Sequence, residues 1–484
     1  MRLKIIQKVL GILLALFSIT ILPSLIISIL LKDGAYHAFL TAIIVTLISG
    51  LAMWLPVKNF SGELRLRDGF IIVVLFWLVL GLCGSIPFLV VQTPQMSVID
   101  SIFESISGLT TTGATILTDI DSVVPSLLFY RQFLQWLGGM GIIVLAVAVL
   151  PMLGVGGMQL YRAETPGPMK DSKLTPRITE TAKMLWYIYL SLTICCAIAY
   201  KVAGMSLFDA VGHSFSTVAL GGFSTHNLSI GHWNNAAIEF VAIFFMFLAG
   251  VNFTLHFISW RQKSLTHYLK DSEFVTYGSI LLLTFLACCV GLITFSEADS
   301  DMLSIIRKSL FQTISMGTTA GFSTEPFHQW PLFFPLILIF LSFVGGCAGS
   351  TGGGIKVVRC LLLYKQGIRE IQRLIHPNAV LKIRMGNRAV SSRVIEAVWG
   401  FFAAYVVVFI LLMFALMITG LDQISSFSAV AACLNNLGPG LGSVANHYGE
   451  ISTTAKSLLC LAMLLGRLEI FTLLVILTPS FWRA

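Results

Sequence analysis

Apolar runs of about 18 to 25 residues recur along nearly the whole chain, and most are paired with a shorter amphipathic stretch of about 10 to 14 residues. At about 1.5 Å rise per residue the long runs provide roughly ten full spans of a bilayer. The short stretches cannot cross one and read as re-entrant helices. Two long helices come first, Lys4–Leu31 and Ala38–Leu55, joined by a loop at Lys32–Tyr36. Then comes an outer helix at Gly69–Val91, a short helix at Val98–Leu109 and an inner helix at Leu127–Leu150. This order repeats within Lys183–Trp260, with a short helix at Ser206–Val218, and within Phe274–Val358, with one at Leu303–Met316. It repeats again from Arg393 to the C-terminus, with a short helix at Ile424–Leu434.

Each short helix runs into a small-residue turn: LTTTGAT at Gly113, VALGGFST at Gly222, GTTAGFST at Gly321 and NNLGPG at Gly438. The turns lie roughly 100 to 120 residues apart, which marks four copies of one supersecondary unit. The predicted class is an all-α polytopic membrane protein, four pseudo-symmetric helix–pore loop–helix repeats around a central ion pore. The divisions are a helix pair at 1–60, repeats at 61–158, 159–262, 263–360 and 393–484, and a basic link at 361–392. Non-helical backbone at membrane depth survives only when buried in protein or lining a watery path. The turns therefore imply an aqueous axis.

Composition agrees with a bilayer setting. Of 484 residues, 56% are hydrophobic and 11% charged, with a mean hydropathy of +0.87, whereas a soluble domain carries about 25% charge. The first run is too long for a signal-peptide core and reads as a retained helix. The nine cysteines lie mostly in apolar segments without zinc spacing or a disulfide framework, and read as small core residues. Net charge is +8, and 24 of the 31 Lys and Arg fall at the two termini and in Pro56–Asp68, Gln159–Lys183, Trp260–Ser272 and Lys356–Arg393. Acids such as Asp119, Asp121, Glu297, Asp299, Asp301, Glu325 and Glu450 occupy the other loops. The positive-inside rule makes the basic segments and the N-terminus cytoplasmic, with every glycine turn on the external half. The basic clusters flank spans rather than forming a stripe, which argues against nucleic acid. The link Lys356–Arg393 suits anionic headgroups or a cytosolic partner, or is simply a solvated loop.

A dehydrated cation needs oxygen ligands that a bilayer lacks. Four short helices aimed at one point bring their negative dipole ends together, and the turns that follow can present backbone carbonyls to the axis. Glycine suits positive φ and close approach at a narrow axis.

The stretches SGLTTTGATIL, FSTVALGGFSTH, MGTTAGFSTEP and LNNLGPGLG resemble the four filter segments of the TrkH/KtrB/HKT superfamily of potassium transporters. RQFLQWLGGMGIIVLAVAVLP, GGCAGSTGGGIKVVR, HPNA and LLGRLEIFTLL resemble its bacterial TrkH branch, as does the extra helix pair before the first repeat. The resemblance covers essentially the whole chain. It implies K+ bound in the filter as the transported ion, and a homodimeric uptake subunit of the bacterial inner membrane. It also implies a TrkA-type cytosolic ring that binds NAD or ATP as regulatory partner. Carried over, the filter comprises Thr111, Thr112 and Gly113; Leu220, Gly221 and Gly222; Thr318, Thr319, Ala320 and Gly321; and Asn435, Asn436, Leu437 and Gly438. The register of the last two segments stays open by one residue. In the superfamily a serine at the first filter glycine is associated with sodium selectivity, so Gly113 implies potassium.

Two further features lie below the filter. Gly345, Gly346, Gly349, Gly352, Gly353 and Gly354 interrupt the third inner helix, and glycine in a helix interior costs about 1 kcal/mol. An unwound segment results, similar to the family's intramembrane gating loop; it lacks the order of a phosphate-binding loop. Arg467 lies in the last apolar helix and faces either the conduction path or a buried acid such as Glu104 or Glu239. Repeats of one orientation favour a ring over the inverted halves of a coupled transporter, although a symporter driven by H+ or Na+ is the alternative. No metal box or nucleophile–base pair in the spans points to an enzyme, and His213 reads as a packing residue.

Overall fold

The computed structural model describes residues 3–60, 65–141, 178–295, 301–379, 381–386 and 388–483. Parts of four expectations therefore lie outside the described residues: the end of the first inner helix at 142–150, most of the basic segment Gln159–Lys183, residues 61–64 of another, and the acids Glu297 and Asp299.

The described chain is helical apart from a two-stranded hairpin, Arg384–Met385 with Arg388–Ala389. The first helix is interrupted at Ile21, before Pro23 of Leu22–Leu31, and packs on Tyr36–Trp54. Gly11 and Gly50 let these backbones meet: a Cβ on Gly11 would lie 2.8 Å from Gly50 O, and one on Gly50 2.7 Å from Ala15 N. Small residues at a crossing substitute close packing for a hydrophobic drive that lipid cannot supply.

Among the described residues six helices are long and apolar enough to cross a membrane, or eight if two bent pairs each count as one span. The sequence predicts about ten, and the difference lies in the inner helices: the second and fourth are bent, the third is interrupted, and the first is described only as far as residue 141. The second bends by 92° between Ala236–Ala249 and Phe253–Arg261, the fourth by 112° between Thr453–Arg467 and Phe471–Leu477. The first passes from Pro125–Trp136 into a π-helical turn, Leu137–Gly141, and the third stops at Val344 and resumes at Val357. Three outer helices are greasy on the outside: only 28% of the apolar window of Lys183–Val202, of Ser272–Phe295 and of Ser392–Ile418 is buried, against 61% for Arg67–Val90. The buried interior instead holds the four short helices, Val98–Leu109, Leu207–Ala219, Met302–Gly317 and Gln423–Leu434. The expected link at Lys356–Arg393 is mostly helix, Val357–Ile375, because its apolar positions recur at helical spacing.

Candidate ion pathway

The four short helices begin and end alike. Ser97, Ser206, Asp301 and Asp422 cap them, each side chain accepting an amide of the first turn. At the other end Thr112 N donates to Ser107 O (2.9 Å), Gly221 N to Ser216 O (2.9 Å), Ala320 N to Ser315 O (2.8 Å) and Leu437 N to Ala432 O (2.7 Å). The residue before each amide is left-handed: Thr111, Leu220, Thr319 and Asn436, at φ 56°, 55°, 62° and 53°. These are Schellman terminations, repeated four times in one register. That register aligns Thr111 with Leu220, Thr319 and Asn436. A left-handed non-glycine costs roughly 1–2 kcal/mol, most unusual for β-branched Thr111 and Thr319. The same strain held at four equivalent places points to a functional constraint.

Two residues beyond each strained position stands a glycine of positive φ: Gly113, Gly222, Gly321 and Gly438. A Cβ on Gly113 would fall 2.0 Å from Gly221 O, and one on Gly222 2.2 Å from Ala320 O. On Gly321 it would fall 2.0 Å from Leu437 O, and on Gly438 2.6 Å from Thr112 O. Each glycine thus faces a carbonyl of the next repeat, and the fourth closes on the first. Four strands packed in this cyclic way leave no room for a side chain at the glycine.

Neighbouring side chains grip this ring. Gln135 Nε2 donates to Gly221 O at 2.6 Å while its Oε1 accepts from Phe223 N at 3.1 Å. Gln132 Nε2 donates to Phe223 O at 3.1 Å and Arg131 to Ser224 O at 3.2 Å. Arg131 and Glu104, both fully buried, pair at 2.7 Å. Asn436 Nδ2 donates to Thr112 Oγ1 at 2.9 Å, tying the fourth segment to the first, and Tyr448 OH donates to Gly438 O at 2.8 Å. The turn motifs do not point to Arg131, Gln132 and Gln135. Polar side chains within the otherwise apolar first inner helix were the available signal. His213, read as packing, is buried with its ring nitrogens 2.9 Å from Asp209 O and Ser224 Oγ.

The glycine segment of the third inner helix lies against the ends of the short helices. Thr351 Oγ1 donates to Val218 O (2.9 Å), Gly353 N to Thr319 Oγ1 (2.6 Å) and Gly354 N to Asn435 O (3.1 Å). A Cβ on Gly353 would sit 1.9 Å from Asn435 O, and one on Gly352 2.7 Å from Thr318 O. The excursion starts and finishes at one place. Ile355 N donates to Phe343 O (2.8 Å), Lys356 N to Val344 O (3.1 Å) and Val357 N to Gly346 O (3.2 Å). Gly345, Gly349 and Gly354 take positive φ there, and Lys356 Nζ folds back onto Gly352 O.

Arg467 is not inside a continuous helix, as the sequence suggests, but is the last residue of Thr453–Arg467 before the 112° bend. Its guanidinium bonds Thr111 Oγ1 (3.3 Å), Thr351 O (3.4 Å), Gly139 O (2.6 Å) and Gly138 O. It thereby joins a strained turn, the glycine segment and the π-helical turn of the first inner helix. The acids named as alternative partners are engaged elsewhere: Glu104 with Arg131, and Glu239 with Arg307 at 3.1 Å. Glu469 pairs with Arg359.

Two expectations follow from this geometry. Gln135→Leu should lower the K+/Na+ flux ratio of the purified protein in liposomes several-fold, because Gly221 O and Phe223 N lose their fixed partner. An unchanged ratio would make Gln135 a packing residue only. Arg467→Ala should raise basal K+ flux about tenfold with that ratio unchanged. A unit charge at about 4 Å opposes a cation by roughly 4 kcal/mol at an effective dielectric of about 20; intervening water and a longer separation reduce this toward the roughly 1.4 kcal/mol that corresponds to tenfold. Arg467→Lys should behave like Ala, since one ammonium cannot reproduce a fork spread over four acceptors. A wild-type flux for Lys would show that charge alone acts.

Similarity to known proteins agrees with this architecture. The sequence profile of the TrkH family, described as a cation transport protein, matches residues 35–483. The Trk system potassium uptake protein TrkH of Vibrio parahaemolyticus is 55% identical over 486 residues, covering all of both chains. Its counterpart in Escherichia coli K12 is 52% identical over 483 residues, again covering all of both chains. The crystal structure of the potassium transporter TrkH from Vibrio parahaemolyticus superposes with a TM-score of 0.91, at 52% identity and full coverage of both chains. This chain is a multi-pass membrane protein of the TrkH family of cation transport proteins, a family of transporters and not of enzymes.

Proposed function

We propose that the protein takes up potassium across the bacterial inner membrane as a channel-like, pore-forming subunit whose four glycine turns form one K+ filter. The observation that carries this reading is the cyclic closure of four identically terminated turns, each glycine against the next repeat's carbonyl. Among the described residues no group of three or more His, Cys, Asp or Glu could hold a metal ion. Backbone carbonyls are thus the oxygen-rich ligands on offer for a dehydrated cation. The relatives named above are potassium uptake proteins and a potassium transporter, which favours this ion.

The glycine segment and Arg467 form the gate in this reading. They sit against the C-terminal ends of the short helices and the strained turn residues Thr111 and Thr319. A TrkA-type cytosolic ring that binds nucleotide regulates them, and the protein works as a homodimer. The helix Val357–Ile375 supports a docking role: it leaves the gate directly and exposes Tyr364, Ile371, Leu374 and Ile375 beside Arg369 and Arg373. The N-terminus is cytoplasmic. In support, Lys8 Nζ donates to Phe60 O (2.9 Å) and Arg67 to Arg483 O (3.2 Å), so three basic segments share one end of the molecule. Expression in bacteria stripped of their own potassium uptake systems tests the function. Growth at limiting K+ is expected; failure to grow despite membrane insertion would contradict it.

A further inference from the structure

The bend in the second inner helix creates a feature that conduction does not use. Between Phe253–Arg261 and the outer helix Ile178–Val202 lies a cleft of about 830 Å3. That is within the roughly 300–1,000 Å3 of ligand pockets. Its walls are apolar, with Ile188, Leu192, Ile194 and Leu248. His256 is engaged within the lining, its Nδ1 2.7 Å from Tyr268 OH and its Nε2 2.9 Å from Leu248 O. So apolar a lining suits a hydrocarbon chain.

The mouth is different. Ser264 N donates to Ser259 O at 3.1 Å and Lys263 stands at φ 49°, so the helix ends in a turn that puts Lys263 and Ser264 on the rim. Ser264 Oγ and Thr266 Oγ1 lie 2.8 Å apart. Trp260 and Leu265 are 73% and 78% exposed, among exposed Arg261, Lys263 and Lys270. Tryptophan, leucine and basic residues together mark a segment lying in the headgroup layer. The neighbouring acids are turned away: Asp271 accepts from Phe274 N (2.8 Å), and Glu273 from Ala348 N (2.7 Å) and Val358 N (3.2 Å). Charge at the mouth is therefore positive.

We infer that this cleft is a binding site for an anionic phospholipid, its acyl chain between the two helices and its phosphate at Lys263 and the Ser264 hydroxyl. The test is native mass spectrometry of the full-length protein in detergent, titrated with phosphatidylglycerol or phosphatidylcholine. Phosphatidylglycerol should be retained preferentially at one site per chain. Each basic residue near a surface contributes about fivefold, so Arg261→Gln with Lys263→Gln should weaken that binding by roughly 25-fold. Phosphatidylcholine binding should be unaffected, as should the K+/Na+ flux ratio. Leu192→Trp, which fills the cleft, should remove the site for both lipids; the charge variants are exposed and carry the test if Trp prevents folding. Equal retention of the two lipids by the wild type, or phosphatidylglycerol binding that survives the double neutralisation, would overturn the inference.

Discussion

Gly113→Ser should lower the K+/Na+ flux ratio in liposomes at least tenfold, a loss of about 1.4 kcal/mol of discrimination. The position combines φ 79° with a neighbour, Gly221 O, only 2.0 Å from where Cβ must go. That neighbour is backbone and is itself fixed by Gln135, so it cannot swing aside like a side chain. The serine must widen the ring at one edge, and a wider ring no longer favours the larger, more easily dehydrated ion. Because each glycine abuts the next repeat's carbonyl, the damage should not stay local. Serine at Gly222 or Gly321 should produce a loss of similar size. A folded Gly113→Ser protein with the wild-type ratio would remove Gly113 from the filter.

Deleting Gly349–Gly353 should raise K+ flux without any cytosolic partner by about tenfold or more. The segment is an excursion whose ends already touch: Cα of Gly354 lies 3.1 Å from the place of a Cβ on Gly345, and the ladder from Ile355 N to Phe343 O holds beyond it. Shortening it therefore need not displace the flanking helices. What disappears is the contact of Thr351 with Val218 O and of Gly353 with Thr319, along with one acceptor of Arg467. Each glycine in the segment would cost about 1 kcal/mol inside a helix, so the segment stays unwound by its own propensity and does not close into a continuous inner helix. Flux that falls while the protein stays monodisperse would make the segment structural rather than a barrier.

Much of this architecture is legible in the residues. The turns announce themselves because a short helix with a Ser or Asp cap and a glycine close behind it recurs four times. The third inner helix reads as broken because six glycines crowd one stretch. The bends of the second and fourth inner helices are not legible in the same way. Gly250 and Gly466 each stand singly in an apolar run, and a lone glycine is tolerated in a helix, whereas Gly138 has Gly139 and Gly141 beside it in the π-helical turn of the first. Packing decides these cases: a Cβ on Gly138 would lie 1.8 Å from Leu109 O, and one on Gly466 2.2 Å from Leu434 O. The first and fourth inner helices meet the end of their own repeat's short helix at these glycines, whereas Gly250 meets Tyr277 and Thr318 of the third repeat. A repeat-aware reading had a clue, since Gly138, Gly250, Gly345 and Gly466 follow Gly113, Gly222, Gly321 and Gly438 at similar distances. Arg467 stands out in the sequence as a charge in an apolar run, yet it bonds carbonyls of the first and third repeats and the Thr111 hydroxyl, which no local pattern reveals.

The central claim is that four non-identical turns act as one cation filter feeding a passive, gated path. The most direct test is flux through the purified protein in liposomes, with K+, Rb+, Na+ and Li+ compared in the presence and absence of a pH gradient. K+ and Rb+ should pass at similar rates, Na+ and Li+ at least tenfold more slowly, and the pH gradient should change none of these rates. Equal passage of all four ions, or K+ flux that appears only when a proton or sodium gradient is imposed, would contradict the account.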